Sequence, residues 1–255
     1  MKRILLVTCI SLLLSGPIAG SVYAQPEEIS EAITEGKAIY EQVCVLCHGI
    51  KGQGDGPAAF FFSSYSAPRP RVFTQNAFKF RSTPTGQLPT DQDLFRTLTN
   101  GVAGYMPSFA GLTAQERWNV IAYIKTFNAA FKATSPQPIE LGAPTIPSSL
   151  SSIEKGRALY RNNCQTCHGP NGKGDSQLSQ QGALKGHFDL PIHPRDLTNR
   201  FSFKNGTSPQ DVFRSIMTGL DGGAMPGYAD TFASQEEDAW HLVNYIFSLS
   251  RAPRP

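Results

Sequence analysis

The sequence predicts an all-α protein of two tandem domains that share one fold and are joined by a Pro/Ser-rich linker. The first observation is an internal repeat, because Cys44 and Cys164, and likewise Trp118 and Trp240, lie roughly 120 positions apart. The second is that apolar residues in each half recur at helical spacing, behind residues that suit helix N-caps. The third is a stretch rich in proline and serine between the halves. These observations predict a first domain, a linker and a second domain at residues 27–132, 133–150 and 151–255.

The N-terminus has the pattern of a secretory signal peptide. Lys2 and Arg3 precede an apolar run from Ile4 to Leu14, and Val22-Tyr23-Ala24 suits a cleavage site. The run is shorter than the roughly 18 residues that a spanning helix needs, which disfavours the alternative of a retained membrane anchor. We therefore predict that residues 1–24 are removed, that the mature protein is periplasmic, and that it has no stable insertion in the membrane.

Each half begins with a predicted helix. The residues that recur at helical spacing in the first half are Ile29, Ile33, Gly36, Tyr40 and Val43. Their counterparts in the second half are Ile153, Gly156 and Tyr160. Glycine inside a helix costs about 1 kcal/mol relative to alanine. Its placement at matched positions therefore predicts the close approach of another helix, the alternative being two tolerated glycines.

The pattern Cys-x-x-Cys-His follows the first helix of each half. It consists of Cys44, Cys47 and His48 in the first copy, and of Cys164, Cys167 and His168 in the second. In c-type haem attachment two thiols add to the haem vinyl groups, and the adjacent histidine binds the iron. A single copy could instead be half of a zinc site or a redox-active dithiol. Two copies in matched surroundings favour haem and predict two covalently bound haem c groups.

A Gly-rich loop and a long irregular segment follow each motif. The loops do not match a phosphate-binding P-loop, so we interpret them as chain reversals around the haem edge. In the irregular segments aromatic and apolar residues alternate with cations, as in Phe78-Lys79-Phe80-Arg81. Such cations could be solvated or could reach the haem propionates. We predict the second role for Arg71, Arg81, Arg195 and Lys204.

Two further helices are predicted in each half from their caps. The shorter helices start at Thr90 with Asp93, and at Ser208 with Pro209 and Asp211, and they stop at Gly101 and Gly219. The last helices follow two predicted capping boxes, Thr113–Glu116 and Ser234–Glu237.

Met106 and Met225 are the predicted sixth ligands of the two irons. They occupy equivalent positions of the repeat, and each lies in a Gly-rich loop before a proline, which restricts the backbone. A lone methionine more often fills a core, and we interpret Met217, which has no counterpart, in that way. The remaining histidines also lack counterparts, and we interpret them as structural or exposed rather than as metal ligands: His187, His193 and His241.

With these features the mature chain resembles the tandem-domain, di-haem members of the class I c-type cytochromes. The resemblance rests on the haem motif, the Gly-rich loop, the Met-Pro loop and the terminal helix, each present twice. It implies an all-α fold of two cytochrome c-like domains, in which the first and last helices of each domain cross near the haem. The segment between His and Met is longer than in the most compact members. It resembles that of cytochrome domains associated with respiratory oxidases and periplasmic dehydrogenases.

We therefore expect a periplasmic di-haem cytochrome that carries single electrons between respiratory donors and acceptors, and not an enzyme. Its partners would be redox proteins, namely a dehydrogenase, a terminal oxidase or another cytochrome. Two alternatives remain: a haem subunit of a larger respiratory complex, and a di-haem enzyme such as a peroxidase or a thiosulfate dehydrogenase. The formal charge of +3 and the composition do not indicate a nucleic-acid-binding protein.

Overall fold

The computed structural model describes residues 26–60, 69–140 and 146–250, and these residues are all-α as predicted. Within them the chain forms helices, turns and two isolated β-bridges, Val102–Met106 and Lys185–Pro191, without a strand. No helix in this part of the chain is both long and apolar enough to cross a bilayer. The predicted signal peptide, residues 1–24, lies outside the described residues, as do parts of the predicted linker and the last five residues of the second domain.

The two halves repeat one succession of helices. Those of the first half are α1 (Pro26–Ile39), α2 (Val45–His48), α3 (Asp91–Asn100), α4 (Ala114–Thr126) and α5 (Ala130–Ala133). Those of the second half are α6 (Leu150–Asn163), α7 (Gln165–His168), α8 (Gln177–Gln180), α9 (Pro209–Thr218), α10 (Ala229–Phe232) and α11 (Glu236–Leu249). Thus α1, α2, α3 and α4 correspond to α6, α7, α9 and α11. A π-helical turn, Tyr40–Cys44, joins α1 to α2 and has no counterpart before α7.

The first and last helices of each half cross at the two predicted glycines. A Cβ atom at Gly36 in α1 would overlap the carbonyl oxygen of Asn119 in α4. One at Gly156 in α6 would overlap the carbonyl oxygen of His241 in α11. Only glycine lets the two backbones come so close, and the predicted close approach is confirmed.

Matched aromatic stacks join the shorter helix of each half to the last one. The ring centroids of Phe95 and Trp118 are 4.3 Å apart, and those of Phe213 and Trp240 are 4.2 Å apart. Each half therefore has its own buried core, as two tandem domains require.

Three of the four predicted helix starts are confirmed. In these the N-cap hydroxyl accepts a hydrogen bond from the third helical residue, whose carboxylate accepts one in return: Thr90, Thr113 and Ser208. The predicted box at Ser234 is wrong, because α11 begins at Glu236 with Gln235 as its N-cap. Since α10 runs up to Phe232, Ser234 lies in the turn between the two helices.

The predicted ends of the two shorter helices are confirmed, whereas the residues that recur at helical spacing in and after α1 do not all face the core. Gly101 ends α3 and Gly219 ends α9, both with a φ of 68°. Ile29 and Val43, which recur at helical spacing with Tyr40 in the sequence, are 50% and 47% exposed, whereas Tyr40 is fully buried. Val43 lies in the π-helical turn, where the extra residue rotates the side chains out of α-helical register.

The two halves contact each other through α3, α9, the irregular segments that precede these helices and the loop that follows α9. Arg96 Nη2 of α3 donates to Asn205 Oδ1 at 3.2 Å. Arg81 Nη2 of the first half lies 2.9 Å from Asp221 Oδ1 of the second. These contacts place the irregular segment of the first half beside the loop that carries Met225.

Candidate haem sites

A buried tyrosine in each first helix fixes the haem motif that follows. The Tyr40 hydroxyl donates to Gly49 O at 2.7 Å, and the Tyr160 hydroxyl makes the equivalent bond to Gly169 O. Both glycines come directly after the motif histidine and have φ of 76° and 77°, which permits the chain to reverse there. Each short motif helix is therefore fastened at its C-terminal end to the helix that precedes it.

The cysteines of the two motifs form no disulfide bond with one another. Burial raises the pKa of Cys44 to about 11 and that of Cys164 to about 12, and the second cysteine of each motif adds to the shift. Among the described residues, no three His, Cys, Asp or Glu side chains are grouped as a metal site. The two thiols of each motif lie three positions apart, the spacing that addition to the two vinyl groups of one haem requires.

Burial keeps both motif histidines neutral. It lowers the pKa of His48 to about 4, while the nearby Arg71 carbonyl opposes the shift. The His48 ring stacks on Phe73 with centroids 4.5 Å apart, and its buried Nδ1 makes no hydrogen bond of normal geometry. Burial also lowers the pKa of His168, whose Nδ1 lies 3.2 Å from Arg195 O. A neutral imidazole whose Nδ1 faces a backbone carbonyl can present Nε2 to a metal.

A cavity of about 660 Å³ in the second half brings together the predicted haem ligands of that half. Its walls include Cys164, Cys167, His168 and Met225, so the α7 motif and the loop after α9 reach the same space. Much of the remaining wall is apolar, including Ile246 of α11. A donor set of two thiols, an imidazole and a thioether around a largely apolar space fits a haem c group.

Five cationic side chains and one carboxylate, Asp196, are among the described residues that line this cavity. The cations are Arg69, Arg71, Lys79, Arg195 and Lys204. Burial, and then the neighbouring cations, lower the pKa of Lys79 to about 8 and that of Lys204 to about 7. Buried positive charge is costly unless it is paired, so this wall suits the propionate carboxylates of a haem. Arg71, Arg195 and Lys204 lie where they could serve them, and their binding to propionates stays a prediction.

Arg81, the fourth predicted propionate cation, lies elsewhere. Its side chain is fully buried, and its Nη2 lies 2.9 Å from Asp221 Oδ1 and donates to Thr218 O at 2.6 Å. Nε donates to Pro84 O and Nη1 to Phe78 O, both at 3.2 Å. Arg81 therefore joins the two halves instead of lining the haem cavity. The prediction is corrected because the Met225 loop offers a carboxylate that the sequence pattern did not connect with Arg81.

In the first half two of the predicted haem-binding residues belong to one core. Cys44 is buried in that core, and Met106 packs against it. Met106 also closes its own loop, since Val102 N donates to Met106 O at 2.8 Å. Leu220 N makes the equivalent bond to Met225 O at 3.0 Å. The two methionines are thus carried by loops that close in the same way, and their binding to iron stays a prediction.

The cavity of the second half is also lined by side chains that sequence reasoning did not assign to it, among them Arg69, Lys79, His187 and His193. Lys79 carried a signal, because it alternates with phenylalanines in the same strip as Arg81. The two histidines carried none, since neither has a counterpart in the first half. His241 is structural as predicted, with its Nδ1 2.8 Å from Ser152 Oγ, and Met217 is buried in the core.

Comparison with known proteins finds the same family twice along the chain. The family model for cytochrome c oxidase, cbb3-type, subunit III matches residues 31–124 and 151–246. The cytochrome c subunit of the cytochrome bc1 complex of Corynebacterium diphtheriae is 24% identical, over 93% of this chain and 73% of its own length. The cbb3-type cytochrome c oxidase subunit FixP of Azorhizobium caulinodans is 25% identical, over 63% of this chain and 46% of its own length.

A solved structure is similar over most of both chains. A chain of the reducing HAO-like protein complex of Kuenenia stuttgartiensis has a TM-score of 0.77 and 36% identity, over 84% of this chain and 95% of that chain. Each of the two matched family segments contains one Cys-x-x-Cys-His motif and one of the two Met-Pro loops. Cytochrome c domains bind haem c covalently. The chain therefore belongs to the family of cytochrome c oxidase, cbb3-type, subunit III, and contains two cytochrome c domains in tandem.

Proposed function

We propose that this protein is an exported electron-transfer cytochrome, which carries single electrons between respiratory redox proteins through two haem c groups. The proposal depends on the cavity that Cys164, Cys167, His168 and Met225 share, and on two cysteines, a histidine and a methionine at the equivalent positions of the first half. Two protein ligands on each iron would leave no position for a substrate, so that the metal would exchange electrons alone.

The proposal includes an order of segments along the chain. Residues 1–24 would direct export to the periplasm and then be removed. A first haem domain at 27–132, a linker at 133–150 and a second haem domain at 151–255 would follow. The resemblance to c-type cytochromes supports this order, because their haem is attached outside the cytoplasmic membrane.

The side chains of each domain would hold the haem and set its reduction potential. When bound, the haem supplies an iron that changes between the ferric and ferrous states. The two thiols would anchor the ring, and the imidazole and thioether would bind the iron, a ligand pair that raises the reduction potential. The aromatic core excludes water, and the cations of the cavity wall are placed to neutralise propionates. Since the same ligands serve both oxidation states, the protein has little to rearrange when an electron arrives.

Met106→Ala and Met225→Ala will each remove about half of the weak ferric absorption band that reports iron–sulfur ligation, at the red end of the visible spectrum. Each substitution deletes the thioether of one haem, so the reduction potential of that haem should also fall. Spectra of the oxidised protein and a redox titration measure both effects. Met217→Leu is the matched control, because Met217 is buried in the second core, and it should leave the band intact. If neither alanine variant changes the spectrum, the axial ligands are assigned wrongly.

A haem subunit of a larger respiratory complex is the second candidate function. The relatives favour it: two are named as subunits of a bc1 complex and of a cbb3-type oxidase, and the solved structure is that of a complex. Purification of the native protein at high salt separates the two candidates. A free carrier is expected to elute as a single chain, whereas a subunit will elute with fixed partners. A high-spin ferric signal at one haem of the unsubstituted protein, with turnover of peroxide or thiosulfate, would instead favour a di-haem enzyme.

A further inference from the structure

The loop that carries Met225 is a tight turn closed by its own backbone. Leu220 N donates to Met225 O, and Gly223 N donates to Leu220 O, both at 3.0 Å. The stretch from Gly219 to Met225 is one residue longer than the equivalent stretch of the first half. It contains Asp221, which has no acidic counterpart there. The two repeats therefore differ at this turn in both length and charge.

Asp221 receives hydrogen-bond donors from the first half on all three of its oxygens. Arg81 Nη2 lies 2.9 Å from Oδ1, Gly86 N donates to Oδ2 at 2.8 Å, and Arg71 Nη1 donates to the backbone O at 3.4 Å. The Asp221 side chain is only 13% exposed, so water has little access to the carboxylate in this position. Donors of the first domain therefore stabilise this turn of the second domain.

Arg81 is itself held rigidly by the first half. Its buried guanidinium donates to Phe78 O and Pro84 O, which fixes its orientation. The same group donates to Thr218 O at 2.6 Å, and Thr85 Oγ1 donates to that oxygen at 3.1 Å. Thr218 is the last residue of α9, where unpaired carbonyls carry partial negative charge that a cation stabilises. Arg81 thus binds both the C-terminal end of α9 and the turn that follows it.

An equivalent contact runs in the opposite direction. Lys204 occupies the position of Arg81 in the repeat, and its Nζ lies 3.6 Å from the ring centroid of Tyr105. Tyr105 directly precedes Met106. The cation at this position in each half therefore touches the methionine loop of the other half, although only Arg81 meets a carboxylate there.

We propose that Arg81 and Asp221 are a positioning pair, through which the first domain holds Met225 on the iron of the second domain. The inference rests on the proposed function, in which Met225 is an axial ligand. Without the pair, Asp221 would turn toward solvent and the turn would keep only its own backbone bonds. The Met225 sulfur would then be off the iron for a larger fraction of the time. Met106 would be unaffected, because its loop contains no acidic residue.

The test places Arg81→Lys in two backgrounds of the full-length, haem-loaded protein, Met106→Ala and Met225→Ala. The ferric iron–sulfur band that remains reports Met225 in the first background and Met106 in the second. Lysine keeps the charge but cannot make the four contacts of a planar guanidinium, so the band should fall at least about two-fold in the first background. In the second background the band should not change.

Asp221→Asn in the otherwise unsubstituted protein is the second variant, and it decides the matter alone if the Arg81 variants do not accumulate. It keeps the side-chain size but loses the charge, and the band should fall while the redox transition of the second haem shifts to lower potential. Asp211→Asn is the matched control. Asp211 forms a 2.7 Å ion pair with Arg214 inside α9 and is of similar burial, so its loss should lower stability but spare the band.

Four results would overturn the positioning role: an unchanged band in the Met106→Ala background, an equal loss in both backgrounds, an unchanged band in Asp221→Asn, or an equal loss in Asp211→Asn. The proposed function fails by a different result. In that case Met106→Ala and Met225→Ala would not each remove half of the original band, before Arg81 is changed at all.

Discussion

Replacing both cysteines of one haem motif by alanine will leave one covalently bound haem per chain where the unsubstituted protein has two. Thioether bonds form at the two thiols, so loss of Cys44 and Cys47 abolishes attachment in the first domain only. Loss of Cys164 and Cys167 abolishes it in the second. The haem-to-polypeptide ratio, measured after extraction of non-covalent haem, should fall to about half in either double variant.

The domain that loses its haem should also lose stability. In the second domain the cavity of about 660 Å³ would lack the group that its donor set fits, and its cations would face one another unpaired. We therefore expect limited proteolysis to digest the second domain first in the Cys164 and Cys167 double variant, and the first domain first in the other.

Cys9→Ala is the control for both double variants. Cys9 belongs to the predicted signal peptide and lies outside the described residues, so its replacement should leave two haems. Retention of two haems in a double variant would refute attachment at that motif. Loss of both haems from one double variant would show instead that the two domains do not load independently.

The predictable part of this structure is the part that is local or repeated. The capping boxes at Thr90 and Thr113 each depend on two residues three positions apart. A pattern with so short a spacing can be recognised in a sequence. The crossing at Gly36 joins helices that are far apart in sequence. The repeat nevertheless predicts it, because a glycine, which lowers helix stability, recurs at the equivalent position. The same duplication is the reason for predicting that Met106 is an iron ligand and not only a core residue, and that role stays a prediction.

The contacts between the halves could not be predicted in this way. Arg81 and Lys204 hold equivalent positions, so the repeat predicts one role for both. The structure gives them different partners, since Arg81 pairs with the additional Asp221 whereas Lys204 contacts the ring of Tyr105. Two paired residues that lie 140 positions apart produce no periodicity or short spacing that could be recognised in the sequence. Buried partners of this kind follow from how the domains pack and from the need to pair every buried charge.

Gly156→Ala will destabilise the second domain, although alanine is the better helix former by about 1 kcal/mol. The new Cβ atom would overlap His241 O and lie 2.7 Å from Tyr245 Cβ, and neither backbone atoms nor a Cβ can rotate aside. The helices α6 and α11 must therefore separate. Overpacking of a core costs about 1–3 kcal/mol, and separation of a whole helix pair should reach the upper end of that range or exceed it. The urea midpoint of the oxidised protein measures the loss.

Gly36→Ala should have the same effect on the first domain, where the overlap is with Asn119 O. Gly111→Ala is the control, since no atom lies within 4 Å of its added Cβ, and it should change stability by less than about 0.5 kcal/mol. The direction of the stability change distinguishes a close helix crossing from a simple effect of helix propensity. If Gly156→Ala stabilised the protein by the amount that helix propensity predicts, α6 and α11 would not cross closely in solution. Tyr160 of α6 donates a hydrogen bond to Gly169 O beside the second haem motif. If α6 were not held against α11, this bond would no longer fix the position of His168.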